Sequence, residues 1–286
     1  MSFSENHYLS QDGLKLYYRE YGSGESACPI ICLSGLTRSS LDFHDVAERY
    51  SKERKVYALD YRGRGKSDYD KDYKNYNPQV YLGDIFAFFT QKNIEKALFV
   101  GTSLGGLLTM AMAGLAKNFI AGAVLNDVGP EVDSAGSSRI LDYVGKDARF
   151  ATLEAAAAKQ KEIYGGAYPD MPDADWIGQA KTTFVYDDAA KNYRLNYDLA
   201  LGKALAEQIN SSEQVDLWPF FKALADVPTL AIRGALSDVL SAAVFERMKT
   251  ENPNLQTLVL NNRGHVPLLN EPEALAVLDD FIARVR

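Results

Sequence analysis

Short, continuously apolar runs recur along the chain, and helical spacing follows most of them. They are PIICLSGL at 29–36, KVYALD at 55–60, ALFVGTS at 97–103, FIAGAVLND at 119–127, PTLAIRG at 228–234 and LQTLVLN at 255–261. Strands apolar on both faces belong to a parallel sheet covered by helices on each side. Helices are expected over SLDFHDVAERYS, over Pro78 to Gln91 and over LGGLLTMAMAGLA. At the start, HYLSQDGLKLYYREY sets Asp12-Gly13 between two strand-like halves, a hairpin signal. The fold class is therefore α/β.

Between Asp127 and about Asp226 the pattern changes, and roughly a hundred residues pass without a clear buried strand. A structureless loop of that length does not fit a compact domain, so helices are expected over SSRILDYVG, TLEAAAAKQKEIY, DADWIGQAKTTFV and LALGKALAEQI. The chain then divides into a core of residues 1–127 and 227–286 and a helical insertion of residues 128–226, placed as a lid after a central strand. Aromatic residues of the insertion, Trp176, Tyr143, Tyr164 and Tyr168 among them, either line an apolar pocket or pack the insertion onto the core.

The stretch of residues 97–116 carries no charge and is long enough to cross a bilayer. Its glycines, threonine and serine cluster in the first half, however, so a short strand turning into a buried helix accounts for it better. That turn, GTSLGG, lacks the lysine of a phosphate-binding loop and the spacing of a dinucleotide fingerprint. It matches G-x-S-x-G at Gly101, Ser103 and Gly105, the pattern of a nucleophile elbow. Small flanks let a serine sit on a strained strand-to-helix turn, with its hydroxyl lifted above the sheet.

A serine hydroxyl needs a base. Of the three histidines, His7 falls in the hairpin and His44 in the first helical segment; only His265 follows a late strand. The carboxylate that would orient it is assigned to Asp238, just past PTLAIRG, with Asp127, just past FIAGAVLND, as the second candidate. Backbone N–H groups of Leu104, at the helix start, and Leu36, beside Gly35, are the expected donors to a developing oxyanion.

Through LSGLTR, LDYRGRGKSD, VGTSLGG, LNDVGP, RGALSDVLS and RGHVPLLNEP, from about Asp12 to Phe281, the chain resembles the lid-bearing serine hydrolases of the α/β-hydrolase superfamily. The resemblance implies hydrolysis of a small-molecule ester, lactone or related carbonyl compound through an acyl-enzyme at Ser103. Cleavage of a carbon–carbon bond, haloperoxidase-like chemistry and a ligand receptor on the same scaffold remain open. Relatives carry His-Gly at the oxyanion turn, where this chain has Ser34-Gly35. Arg38, near that turn, is a candidate to pair with a substrate carboxylate, or else a surface arginine bonded to the insertion.

Charge and composition narrow the partners. Thirty-one Lys and Arg against 38 Asp and Glu give a net charge of -7, which repels a polyphosphate backbone. Nucleic acid and membrane are not expected partners; a small-molecule substrate is. Unpaired histidines give no metal-binding spacing, and no cofactor is expected. The first residues lack a basic flank and an apolar core of a secretory signal. Cys28 and Cys32, four apart on a strand, lie roughly 13 Å from each other, too far for a disulfide. Buried thiols and a cytoplasmic location follow.

Overall fold

A computed structural model describes residues 3–25, 27–210 and 215–286. The chain opens with β1 (Phe3–Leu9) and β2 (Lys15–Glu25), paired antiparallel across the turn at Asp12-Gly13. Then come β3 (Ile30–Leu33), a 3-10 turn at Ser40–Phe43 running into α1 (His44–Tyr50), β4 (Arg54–Leu59) and α2 (Pro78–Lys92). Asn77 caps α2 by accepting the Val80 N–H, and Pro78 opens it, where a missing N–H costs nothing.

Next are β5 (Ala97–Thr102), α3 (Leu104–Ala116) and β6 (Ile120–Asn126), the first and last of them buried throughout. The segment after β6 holds α4 (Ser134–Tyr143), β7 (Arg149–Phe150), α5 (Leu153–Tyr164), α6 (Asp173–Thr183), β8 (Phe184–Asp187), β9 (Asn192–Leu195), α7 (Ala200–Asn210) and α8 (Trp218–Lys222). The chain finishes with β10 (Thr229–Gly234), α9 (Ala242–Glu251), β11 (Gln256–Leu260) and α10 (Pro272–Arg284).

Eight strands form one sheet in the order β1-β2-β4-β3-β5-β6-β10-β11. The pairs from β4 to β11 are parallel, while β2 lies antiparallel to both of its neighbours. Two apolar clusters cover the two faces: Phe88, Phe89, Phe99 and Leu108 on one, Phe43, Val100, Leu278 and Phe281 on the other. The sheet's central strands therefore end among buried side chains, and their carboxyl ends form a rigid rim.

The insertion is not wholly helical. Three short antiparallel strands, in the order β7-β9-β8, interrupt it, and α6 stops at Thr183 where a longer helix is expected from sequence. Thr182, Thr183 and Val185 are β-branched and flank Phe184, which suits a pleated strand better than a helix end. A separate apolar cluster of Ala156, Met171, Trp176, Ala180 and Phe184 holds α5 and α6 together. No helix among the described residues is long and apolar enough to cross a membrane; α3 turns out to be 13 residues long. Cys28 and Cys32 are free; Cys32 is buried, whereas Cys28 is only half-buried.

Candidate active site

Strand β5 delivers Ser103 onto a turn with φ 51° and ψ -114°, a left-handed setting that a non-glycine residue adopts only under constraint. Both glycines of the pattern explain how the constraint is met. A Cβ on Gly105 would lie 2.0 Å from the Leu33 carbonyl oxygen, and one on Gly101 would lie 2.6 Å from the Gly105 backbone. The Ser103 N–H donates to the Asn126 carbonyl at 3.0 Å, which ties the elbow to the end of β6.

His265 follows β11. Its Nε2 lies 2.9 Å from Ser103 Oγ, and its Nδ1 lies 2.8 Å from Asp127 Oδ2. Asp127 is fully buried, with a left-handed φ of 55° immediately after β6. Its other oxygen accepts the Gly234 N–H at 2.8 Å, and Oδ2 also accepts the Ser237 hydroxyl at 2.6 Å. A carboxylate with this many donors is held in one orientation, the setting that fixes an imidazole tautomer.

Asp238 is not the partner of His265. Its carboxylate forms a bidentate pair with Arg139 on α4, through Nε and Nη2. The Arg139 guanidinium holds the Asp238 carboxyl below the usual range. After β10 the chain turns so that Ser237, not Asp238, faces the triad, and Ser237 bonds to Asp127 itself. Reading the second carboxylate, Asp127, from sequence would have required knowing that a residue directly at the end of a central strand reaches the histidine without an intervening turn.

The backbone N–H groups of Leu36 and Leu104 have no acceptor among the described residues. Ser103 provides no side-chain cap to α3, so the Leu104 N–H stands free at the helix start. The loop carrying Leu36 is pinned on several sides. Ser34 Oγ donates to the Arg38 carbonyl at 3.1 Å, and the Ser34 carbonyl accepts the Gly105 N–H at 3.1 Å and the Tyr61 hydroxyl at 3.3 Å. Ser34 thus secures this turn through both its side chain and its backbone.

A cavity of about 850 Å³ opens above Ser103 and His265, between the sheet rim and the insertion. Arg38 reaches its wall, but its guanidinium is taken by Asp42, Thr182 and Thr183. Trp176 touches the cavity yet is only 3% exposed, with Tyr168 edge-on to it at 6.0 Å; most of it packs α6 against α5. Tyr168 has a role that no local pattern around it signals. Its hydroxyl donates to the Val266 carbonyl at 2.7 Å and accepts the Val266 N–H at 3.0 Å, while the Ala167 carbonyl accepts the Gly264 N–H at 2.7 Å. The insertion therefore clamps the loop that carries His265. Of the other histidines, His7 packs on Tyr17, and His44, which also lines the cavity, has its Nδ1 3.2 Å from the Tyr21 hydroxyl; Ser103 Oγ meets His265. Among the described residues there is no group of His, Cys, Asp and Glu fit to hold a metal ion.

The profile of the alpha/beta hydrolase family matches residues 30–278. The chain belongs to that family. Among relatives of this hydrolase is the 3-hydroxybutyrate-oligomer hydrolase of Cupriavidus necator, 31% identical over 96% of this chain and 94% of the relative. The 2-(acetamidomethylene)succinate hydrolase of Mesorhizobium japonicum is 26% identical over 98% and 97%. A solved alpha/beta hydrolase from Novosphingobium aromaticivorans superposes with a TM-score of 0.95 at 40% identity, covering 99% of both chains.

Proposed function

We propose that this hydrolase cleaves a small carboxylic ester through an acyl-enzyme at Ser103, and that its substrates are short oligoesters of a hydroxy acid. The observation that carries the chemistry is the continuous hydrogen-bonded chain from Ser103 through His265 to Asp127. Ser103 Oγ attacks the ester carbonyl carbon while its proton passes to His265 Nε2. The carbonyl oxygen becomes an oxyanion, held by the N–H groups of Leu36 and Leu104. Asp127 stabilises the imidazolium. As the tetrahedral intermediate collapses, the C–O bond breaks and His265 returns the proton to the departing alcohol. Water then attacks the acyl-enzyme, giving its proton to His265, and Ser103 leaves with that proton as the acid is released.

The substrate class rests on the relative from Cupriavidus necator, which matches nearly end to end and is named for oligomers of 3-hydroxybutyrate. A cavity of about 850 Å³ suits an oligomer of a few units rather than a polymer. In this reading residues 128–226 act as a lid over the cavity, and the enzyme works in the cytoplasm. The test is labelling with a fluorophosphonate, mapped by mass spectrometry, together with turnover of p-nitrophenyl butyrate and of the linear 3-hydroxybutyrate dimer. Adduct on Ser103 and release of 3-hydroxybutyrate support the proposal; absence of both ends it, and an adduct with p-nitrophenyl turnover alone moves the substrate to another ester.

A further inference from the structure

On the wall of the cavity, α4 presents Arg139, and one helical turn later Tyr143, to the same space as Ser103. Arg139 uses Nε and Nη2 on Asp238, which leaves Nη1 and both its N–H groups without an acceptor among the described residues. The Tyr143 hydroxyl and that of Tyr164, at the end of α5, also lack a hydrogen-bond partner among the described residues, and their rings meet edge-on at 6.3 Å. Three unused donors on one cavity wall represent unmet hydrogen bonding that a ligand or solvent must satisfy.

Resting on the hydrolase reading above, we infer that Arg139, Tyr143 and Tyr164 form an anchor for a free carboxylate at one end of the substrate. An ionised carboxylate offers two oxygens with several acceptor sites, enough to meet a guanidinium and two phenol hydroxyls at once, and it is the anionic group that a hydroxy-acid oligoester carries. Burial pushes the Tyr143 and Tyr164 hydroxyls up, so both stay protonated donors at neutral pH. Asp238 does not block the site, because one guanidinium serves several carboxylates: in this same chain Arg62 holds Asp12, Asp70 and Asp84 together. Its negative charge does weaken the anchor. Asp238 therefore sets the affinity, while Arg139 and the tyrosines set the selectivity for an acid over a neutral end.

Packing keeps Arg139 in place. A Cβ on Gly136 would lie 2.5 Å from the Asp238 carbonyl oxygen, and the Asp133 N–H donates to the Val239 carbonyl at 2.9 Å, so α4 is docked directly on the turn that carries Asp238. Of the other arginines that line the cavity, Arg38 has its charge and most of its donors spent on Asp42 and the two threonines, Arg263 pairs with Asp170 and Glu271, and Arg19 sits over the Phe3 ring.

The experiment compares kcat/KM for the 3-hydroxybutyrate dimer as the free acid with that for the same dimer capped as its primary amide, which keeps the scissile ester and removes the charge. The wild-type enzyme is expected to favour the acid by about tenfold or more, the value of one good charge-assisted contact. Arg139→Gln should lower that ratio by about tenfold, and Tyr143→Phe and Tyr164→Phe by a few fold each, without altering any charge. Asp238→Asn should raise the ratio. Arg139→Gln also uncovers Asp238, so the double variant with Asp238→Asn must keep the low ratio. Restoration of the wild-type ratio in that double variant would overturn the anchor, as would a wild-type enzyme indifferent to the cap or tyrosine variants within about twofold of wild type. If both dimers are cleaved equally, the anchor fails and the hydrolase reading stands. If neither is cleaved and the phosphonate leaves Ser103 unlabelled, it is the hydrolase reading that fails.

Discussion

Arg64 Nε donates to the Leu36 carbonyl at 2.8 Å, from a guanidinium that is completely buried and has no carboxylate partner among the described residues. Its Nη1 donates to the Tyr81 hydroxyl and the Arg62 carbonyl, both at 2.8 Å. The rings of Tyr61, Tyr76 and Tyr81 surround the charge at 5.7, 5.7 and 4.7 Å from their centroids. These π faces offset part of the cost of burying a cation. What the arrangement achieves is to fix the backbone at Leu36, which lines the same cavity as Ser103.

In the proposed mechanism Arg64 is thus a positioning residue for the Leu36 half of the oxyanion hole. Lysine cannot reproduce its planar fork. Arg64→Lys should lower kcat by about ten- to a hundredfold, somewhat less than outright loss of one oxyanion donor, with a smaller change in KM. Rates should be normalised to active sites counted by phosphonate labelling, so that misfolded protein does not enter. A variant that loses KM alone would show that the arginine shapes the cavity instead.

The two carboxylates are separated by kinetics. Asp127→Asn keeps the shape but loses the charge and the tautomer control, and should lower kcat by about 10³–10⁴-fold. Asp238→Asn should change kcat by less than about tenfold, since that carboxylate bonds to Arg139 and not to the imidazole. Steady-state rates on p-nitrophenyl butyrate check both. Equal losses would mean that Asp238 moves onto His265 during turnover.

Gly101, Ser103, Gly105 and His265 are legible because local backbone strain and strand order demand them, and those demands are written within a few residues. The choice between Asp127 and Asp238 is not local. Each follows an apolar strand, and what decides between them is a left-handed turn at Asp127 and an arginine on α4 that captures Asp238. Nothing near Asp238 in the chain announces Arg139, 99 positions away. The hairpin of β8 and β9 is silent in the sequence for a related reason: its strands are four residues each and largely half-exposed, so no apolar run marks them.

Trp176 tests what holds the insertion together. It is almost fully buried among Met171, Ala180 and Phe184, in a cluster separate from the two that line the main sheet. Trp176→Ala should cost about 3–5 kcal/mol within that cluster. Because Tyr168, which clamps the His265 loop, packs edge-on against Trp176, kcat should fall along with stability. Limited proteolysis should then cut first within residues 145–195, before the core. Cleavage spread evenly over the chain would show that the insertion has no cohesion of its own.

Asp60 supplies a stability signal that depends on pH. It is 1% exposed and accepts the Ser40 N–H at 2.6 Å and the Lys66 N–H at 2.9 Å, with no ion pair to a cation among the described residues. Burial outweighs those bonds and pushes its carboxyl up to about 6, against 3.8 for the free group. Below pH 4 the group is protonated in both states and has no effect on the balance. Between pH 4 and 6 the unfolded chain gives up the proton while the folded chain keeps it, so stability falls as pH rises; above 6 the loss is complete. At about 1.4 kcal/mol for each tenfold step in acidity, the full loss is of the order of 3 kcal/mol, for a shift from 3.8 to about 6. Asp60→Asn cannot ionise. It gives up part of the acceptor capacity at any pH, but its stability relative to wild type should improve steadily between pH 4 and 7. Chemical denaturation of both proteins at matched pH values reads this difference directly, and a difference that stays constant across the range would mean that Asp60 is ionised in the fold without penalty.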